Sequence, residues 1–167
     1  MLFRSKAERL HDLGMCDFRL GDAAAGRELM NQALALDATY ANPYLALGMD
    51  AGTRGDHAAA LEWFTRAVAA GPNLSNAHLN LGVALQQLGR TPEAEASLRQ
   101  AIALAPDTPE AHKALAALLW ARGDIAQTIP IYREAARLWP NDPEIAHWLQ
   151  QAQALQDQAQ PPQQRAP

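Results

Sequence analysis

Residues 75–108 read SNAHLNLGVALQQLGRTPEAEASLRQAIALAPDT, and this stretch decides the fold because its landmarks return at an interval of 34 residues. The pair Leu81-Gly82 inside it recurs upstream as Leu47-Gly48 and Leu13-Gly14, and the next step downstream lands on Leu115-Ala116. Pro106 is matched by Pro72 and Pro140, and Ala101 belongs to the series Ala33, Ala67, Ala101 and Ala135. A register kept over four copies marks an array of one supersecondary unit. Within each unit a glycine (Gly21, Gly55, Gly89 and Gly123) marks the turn between two helices, where a left-handed C-cap costs glycine least. Asp22, Asp56 and Asp124, and Thr91-Pro92 after Gly89-Arg90, are the expected N-caps of the second helices. Ser5 and Glu8 form a capping box for the first helix, and Asn42-Pro43 and Thr108-Pro109 each place a capping residue before a first-turn proline.

Two helices in a 34-residue period resemble the tetratricopeptide repeat, whose pattern runs Trp-x2-Leu-Gly-x2-Tyr, then Ala-x3-Phe, then Pro. The small position that lets helices approach holds Gly14, Gly48, Gly82 and Ala116, and the large apolar position of the second helix holds Met30, Phe64, Leu98 and Tyr132. The resemblance covers about four fifths of the chain. It implies an all-α fold, a right-handed α-solenoid of helix-turn-helix repeats at 7–40, 41–74, 75–108 and 109–142, with residues 1–6 starting the first helix. The consensus tryptophan position reads Leu10, Tyr44, His78 and His112, and the first-helix tyrosine position reads Asp17, Ala51, Leu85 and Leu119. Asp17 fits worst, as expected of a worn terminal repeat. Gly26 and Thr128 replace the usual second-helix alanine, and Ala38 replaces the closing proline. Pro130 falls inside the second helix of repeat four, so that helix either kinks there or starts near Thr128.

From Pro143 onward, Ile145, Trp148, Leu149, Ala152 and Leu155 recur at three- and four-residue steps, which predicts an amphipathic capping helix over 143–156. Gln150 stands where the repeats carry their small residue, so this helix is expected to keep a polar, wet face of the kind a solenoid end needs. Residues 157–167, rich in Gln and Pro with nothing to bury, are expected to be disordered.

Hydrophobic residues make up 49% of the chain and aromatics 6%, so alanine and leucine dominate, as suits closely packed helix pairs. A net charge of −4 speaks against a broad nucleic-acid or anionic-membrane surface, and no run approaches the 18 apolar residues of a membrane span. The N-terminus becomes charged before an apolar run accumulates, so no secretory signal is visible and the bacterial cytoplasm is the expected location. Cys16 is the one cysteine, which excludes an internal disulfide; it is expected to be a buried, inert thiol.

No Ser/His/Asp order, Gly-rich phosphate loop, His-Glu-x-x-His or cysteine pair is present, so the chain is read as a non-enzyme without a cofactor or metal. His78 and His112 lie one repeat apart, too far to share an ion, and are expected to fill the tryptophan slots. The resemblance implies a ligand groove lined by the first helices. Its residues here are Met15 and Phe18, then Asn42, Leu45 and Met49, then Asn76, Leu79, Asn80 and Val83, then Lys113 and Trp120. The centre of this set is apolar, with asparagines and charges at its edges; Leu45, Leu79 and Val83 could instead pack between helices. Neither the Lys/Arg/Asn carboxylate clamp of chaperone-tail-binding relatives nor the asparagine ladder of sugar-transferring relatives is found. The expected function is a scaffold or adaptor that holds a peptide or a helix of a partner protein, with no nucleic acid and no membrane insertion. Rival readings are a small secretion-type chaperone, a self-assembling homo-oligomer, and an accessory subunit of an enzyme encoded elsewhere.

Overall fold

A computed structural model describes residues 5–159, and all its regular elements there are α-helices. In chain order they are α1 (Lys6–Leu20), α2 (Ala23–Leu36), α3 (Ala41–Thr53), α4 (His57–Ala70), α5 (Ser75–Gln87), α6 (Thr91–Leu104), α7 (Pro109–Arg122), α8 (Ile125–Leu138) and α9 (Pro143–Ala159). The helices pair as α1 with α2, α3 with α4, α5 with α6 and α7 with α8, and each pair packs on the next. The result is an all-α helical repeat solenoid closed by α9 against α8.

The small and large positions of each repeat meet inside its pair. A Cβ on Gly48 would stand 2.5 Å from a ring carbon of Phe64, and one on Gly82 would stand 2.7 Å from Cγ of Leu98, so side chains at these two positions would force the helices apart. The turn glycines Gly21, Gly55, Gly89 and Gly123 all take positive φ, between 72° and 87°, as the C-cap expectation requires.

Capping follows the expectation in part. Ser5 and Glu8 make the reciprocal box, and the carboxylates of Asp22 and Asp56 accept from the backbone N–H of Ala25 and Ala59, each at 3.0 Å. Elsewhere the expected caps are not formed. Asn42 lies within α3, after a Tyr40 N-cap without a side-chain bond, and its amide donates instead to the Tyr40 hydroxyl. Thr91 is already helical behind Arg90, and the Thr108 side chain caps nothing. Asp124 turns to Arg122. Prolines at the start of α6 and α7 preset the helical φ and need no donor there, which reduces what a side-chain cap adds.

One of the two alternatives for Pro130 is excluded, and two further expectations are corrected. Helix α8 begins at Ile125 and carries Pro130 in its interior, so it does not start near Thr128; Thr128 is fully buried in the helix, its hydroxyl donating to the Ile125 carbonyl at 2.7 Å. Cys16 is exposed, because the α1 face that carries it meets no preceding repeat among the described residues. The last helix continues through Ala159, so 157–159 belong to it, and the rest of the tail lies outside the described residues.

There is no single core. Four apolar clusters follow one another along the chain: one around Met30, Ala46 and Leu47, one around Phe64 and Ala77, one around Leu98 and Leu115, and one around Tyr132 and Ile145. Two junctions add a buried charge. Asp50 of α3 takes Arg27 of α2 and its own Arg54, each at 3.2 Å, and Glu95 of α6 takes Arg122 of α7 and its own Arg99. Arg27 and Glu95 occupy one register position two repeats apart with opposite signs, their partners Asp50 and Arg122 stand at different register positions, and Leu61 holds the shared position at the apolar junction between them.

Candidate functional site

The first helices of successive pairs touch one another sparingly, because each packs mainly on second helices. Their small residues leave hollows between them. Between α1 and α3 lies one of about 260 Å³, lined by Met15, Phe18, Ala23, Ala46, Met49, Asp50 and Thr53. Between α3 and α5 lies one of about 450 Å³, walled by Met49, Thr53, Asn80, Val83 and Gln87 and floored by Gly48, Ala60 and Phe64, with His57 at its end. The two share Met49 and Thr53, so they form one surface with the Met49 side chain as the ridge between its halves. Met49 is 53% exposed and Val83 is 38% exposed, so both present apolar surface beside the hollows.

A third hollow, about 250 Å³, opens between α7 and the closing helix and is lined by Lys113, Ala117, Trp120, Ala121, Tyr132, Glu144 and Trp148. Trp120 and Trp148 meet edge to face with centroids 5.2 Å apart, which docks Trp148 on the last repeat. Lys113 is bound to Asp142 at 2.9 Å and to Glu144 at 2.7 Å. Those bonds raise the Lys113 ammonium above its ordinary pKa, with Asp142 the larger cause, and the Lys113 contact holds Asp142 below the ordinary carboxylate value. Burial pushes the Tyr132 phenol up, and the Glu144 charge adds to it.

Of the residues read from the sequence, Met15, Phe18 and Met49 meet at the first hollow, Met49, Asn80 and Val83 at the second, and Lys113 and Trp120 at the third. The others stand elsewhere. Leu45 is 6% exposed and packs in the core around Phe64, so it is not a groove residue. Leu79 is half-buried against the Leu98 cluster. Asn42 joins Tyr40, whose hydroxyl lies 3.4 Å from His11 Nδ1, and Asn76 is exposed on α5 with its carbonyl accepting from the Asn80 amide. Lys113 is committed to the closing helix. His57, Phe64, Tyr132, Glu144 and Trp148 line the hollows without having been read there, because second helices and the closing helix supply them.

The two histidines in tryptophan slots are both bonded to backbone: His78 to the Pro72 carbonyl at 2.9 Å, and buried His112 to the Thr108 carbonyl at 3.1 Å, edge-on to Trp139. Among the described residues, no group of three metal-ligating side chains comes together, and no helix is long and apolar enough to cross a membrane. The hollows offer apolar contact flanked by amides and a hydroxyl, which suits the binding of a chain segment.

Comparison with known proteins identifies the repeat family and the fold. Two family models, both described as Tetratricopeptide repeat, match residues 53–118 and 109–154 and together span more than half of the chain. No curated protein matches it in sequence. Among solved structures the chain is similar to pilF of Pseudomonas aeruginosa, with TM-score 0.80 and 21% identity over 91% of this chain and 69% of that one. It is similar to YrrB, described as a TPR protein with an unusual peptide-binding site, with TM-score 0.76 and 17% identity over 93% of this chain and 80% of that one. A chain of the APC/C hetero-tetramer Cut9–Hcn1 gives TM-score 0.76 and 21% identity over 89% of this chain, which spans only 30% of that much longer one. Identities at this level speak for the fold alone.

Proposed function

Since the chain belongs to the tetratricopeptide repeat family and is built as a protein-interaction scaffold, we propose that it holds a segment of a partner protein across the paired hollows between α1, α3 and α5. The supporting observation is the continuous surface on either side of Met49, whose exposed thioether sits between two apolar hollows. A methionine ridge adapts its rotamers to irregular partners. Asn80 and Gln87 at the second hollow, and Thr53 shared by both, offer donors and acceptors to a partner backbone.

The two hollows lie one repeat apart, roughly 10 Å on the usual spacing of packed helices. A polyproline-type extended segment advances about 3.1 Å per residue with three residues per turn, so side chains three apart fall on one face about 9 Å apart. A fully pleated strand would put those same two side chains on opposite faces. The surface therefore favours an extended segment with apolar residues at i and i+3. A helix would have to use i and i+7, about 10.5 Å apart at 1.5 Å per residue.

Selection from a random peptide library on the purified chain tests both points. Enriched apolar pairs are expected three residues apart, whereas seven apart would replace the extended ligand with a helical one. Met49→Glu combined with Val83→Glu is expected to abolish binding of the selected peptides with unchanged helicity, because both positions are exposed and a docked ligand would have to desolvate the carboxylates. Binding that survives the double substitution would remove these hollows from the function.

A further inference from the structure

Ten glycines stand in the chain, and nine of them have a structural reason to be glycine. The four turn glycines take positive φ, and Gly14, Gly26, Gly48, Gly71 and Gly82 would each bring a Cβ to 3.0 Å or less from a neighbouring side chain. Gly52 has neither reason: it lies within α3 without a positive φ, and a Cβ there would meet nothing within 4 Å. Glycine weakens a helix relative to alanine, so neither backbone nor packing accounts for it. What Gly52 borders is the hollow between α3 and α5.

The 34-residue period relates the two hollows wall by wall. Shifted by that period, all seven residues lining the hollow between α1 and α3 fall on residues lining the one between α3 and α5. The shift carries Phe18 onto Gly52. In repeat one the Phe18 ring lies on Gly26 of α2, 3.0 Å from where a Cβ of that glycine would stand. Gly48, Ala60 and Phe64 floor the larger hollow, whereas their counterparts Gly14, Gly26 and Met30 do not line the smaller one. The missing ring thus explains why one hollow is about 260 Å³ and the other about 450 Å³. Repeat four again supplies its own ring at this position, Trp120, which meets Trp148.

We propose that Gly52 keeps the hollow between α3 and α5 open for an aromatic side chain of the partner segment, seated where Phe18 sits in repeat one. This rests on the reading of the paired hollows as the binding surface. The lining suits a ring: Phe64 offers an aromatic contact at the floor and Met49 a thioether at the wall, and both attract a ring beyond the area they bury. An aliphatic side chain would leave part of the floor over Ala60 and Phe64 without contacts. The smaller hollow, which already holds Phe18, is left for an aliphatic residue, so the ligand carries one aromatic and one aliphatic residue three apart.

Peptides selected from a random library on the purified chain test this. They are expected to carry Phe, Tyr or Trp at one member of the apolar pair, and replacing that ring by Ala should weaken binding to the unaltered chain on the order of tenfold. Gly52→Phe puts back the ring of repeat one. It should keep the helicity and melting temperature of the parent, because the side chain enters open space, and lose on the order of tenfold in affinity for the ring-bearing peptides. The Ala-substituted peptides should bind parent and variant alike. Should Gly52→Phe misfold, the peptide substitution on the unaltered chain still decides. Selected peptides that lack a ring, yet lose binding to Met49→Glu with Val83→Glu, would overturn this inference and leave the proposed function standing. A ring whose replacement by Ala costs nothing, or ring-bearing peptides that bind folded Gly52→Phe as tightly as the parent, would overturn it as well. Peptides indifferent to the double substitution would remove the hollows from the function and this inference with them.

Discussion

At the C-terminal end of the solenoid Ile145 and Ala152 of α9 are fully buried against the last repeat and Trp148 lies on Trp120, whereas at the N-terminal end Leu13 and Leu20 of α1 face solvent. Both ends carry an amphipathic helix on a register shared with the interior repeats. In a stack where each helix pair touches only its neighbours, the worth of a side chain belongs to the junction it enters. Leu115 stabilises because α6 covers it; Leu13, in the same position, has no such neighbour among the described residues.

The largest expected effect breaks that contrast directly. Leu115→Ala should lower stability by about 2–5 kcal/mol, as large-to-small changes in a packed core do, while Leu13→Ala should stay within about 0.5 kcal/mol at concentrations where the chain is monomeric. Urea unfolding of both variants decides it, and equal losses would mean that α1 is covered after all. A smaller effect sharpens the contrast at the turns. Asp22→Ala removes the carboxylate that accepts from Ala25 N–H and should cost about 1 kcal/mol, whereas Asp124→Ala, at the same register position without a cap bond, should cost no more than about 0.5 kcal/mol. Thermal melts of the two single variants make the measurement.

The smallest effect concerns the clasp of α9. Lys113 holds Asp142 below the ordinary carboxylate value, so the stability from that contact is present above the unfolded value of about 3.9 and is lost as pH falls through the depressed folded value. The Lys113 ammonium is raised, so at the alkaline end its share is present below the ordinary lysine value of about 10.4 and is lost as pH rises through the raised one. Lys113→Met should therefore be slightly less stable than the parent near neutrality, with the difference closing at both extremes. Trp120 and Trp148 fluorescence during acid and base titration reads this at the junction itself. A difference that stays constant with pH would show that Lys113 acts through packing alone.

The period, the helix pairs and the small and large positions of each repeat were legible in the sequence, because burying the same positions in every unit forces the same residues to recur. Of the first-helix residues expected to line a groove, Met49 and Val83 are exposed beside a hollow, whereas Leu45 is buried, since α4 and α5 close over it. His57 and Phe64 went unread because they reach the hollow from α4, and Trp148 because α9 walls a hollow as well as ending the stack. The clasp on Lys113 needed coordinates: its acidic partners lie about one repeat further along, and register alone does not tell a free lysine from a bonded one. Caps failed at Asn42 and Asp124 for a local reason, since each side chain had a competing partner within two residues.

Every substantial helix contact joins a helix to the next in the chain or to the next but one. Closing any of these contacts draws together residues separated by little more than one repeat, so the entropy lost in loop closure stays small at each step and never grows with the length of the array. Such a chain is expected to fold quickly, because no distant pairing has to be found before the nearer ones reward it. It can also begin at whichever junction forms first, and the end helices α1 and α9, each joined to the stack from one side only, are where the structure would start to come apart.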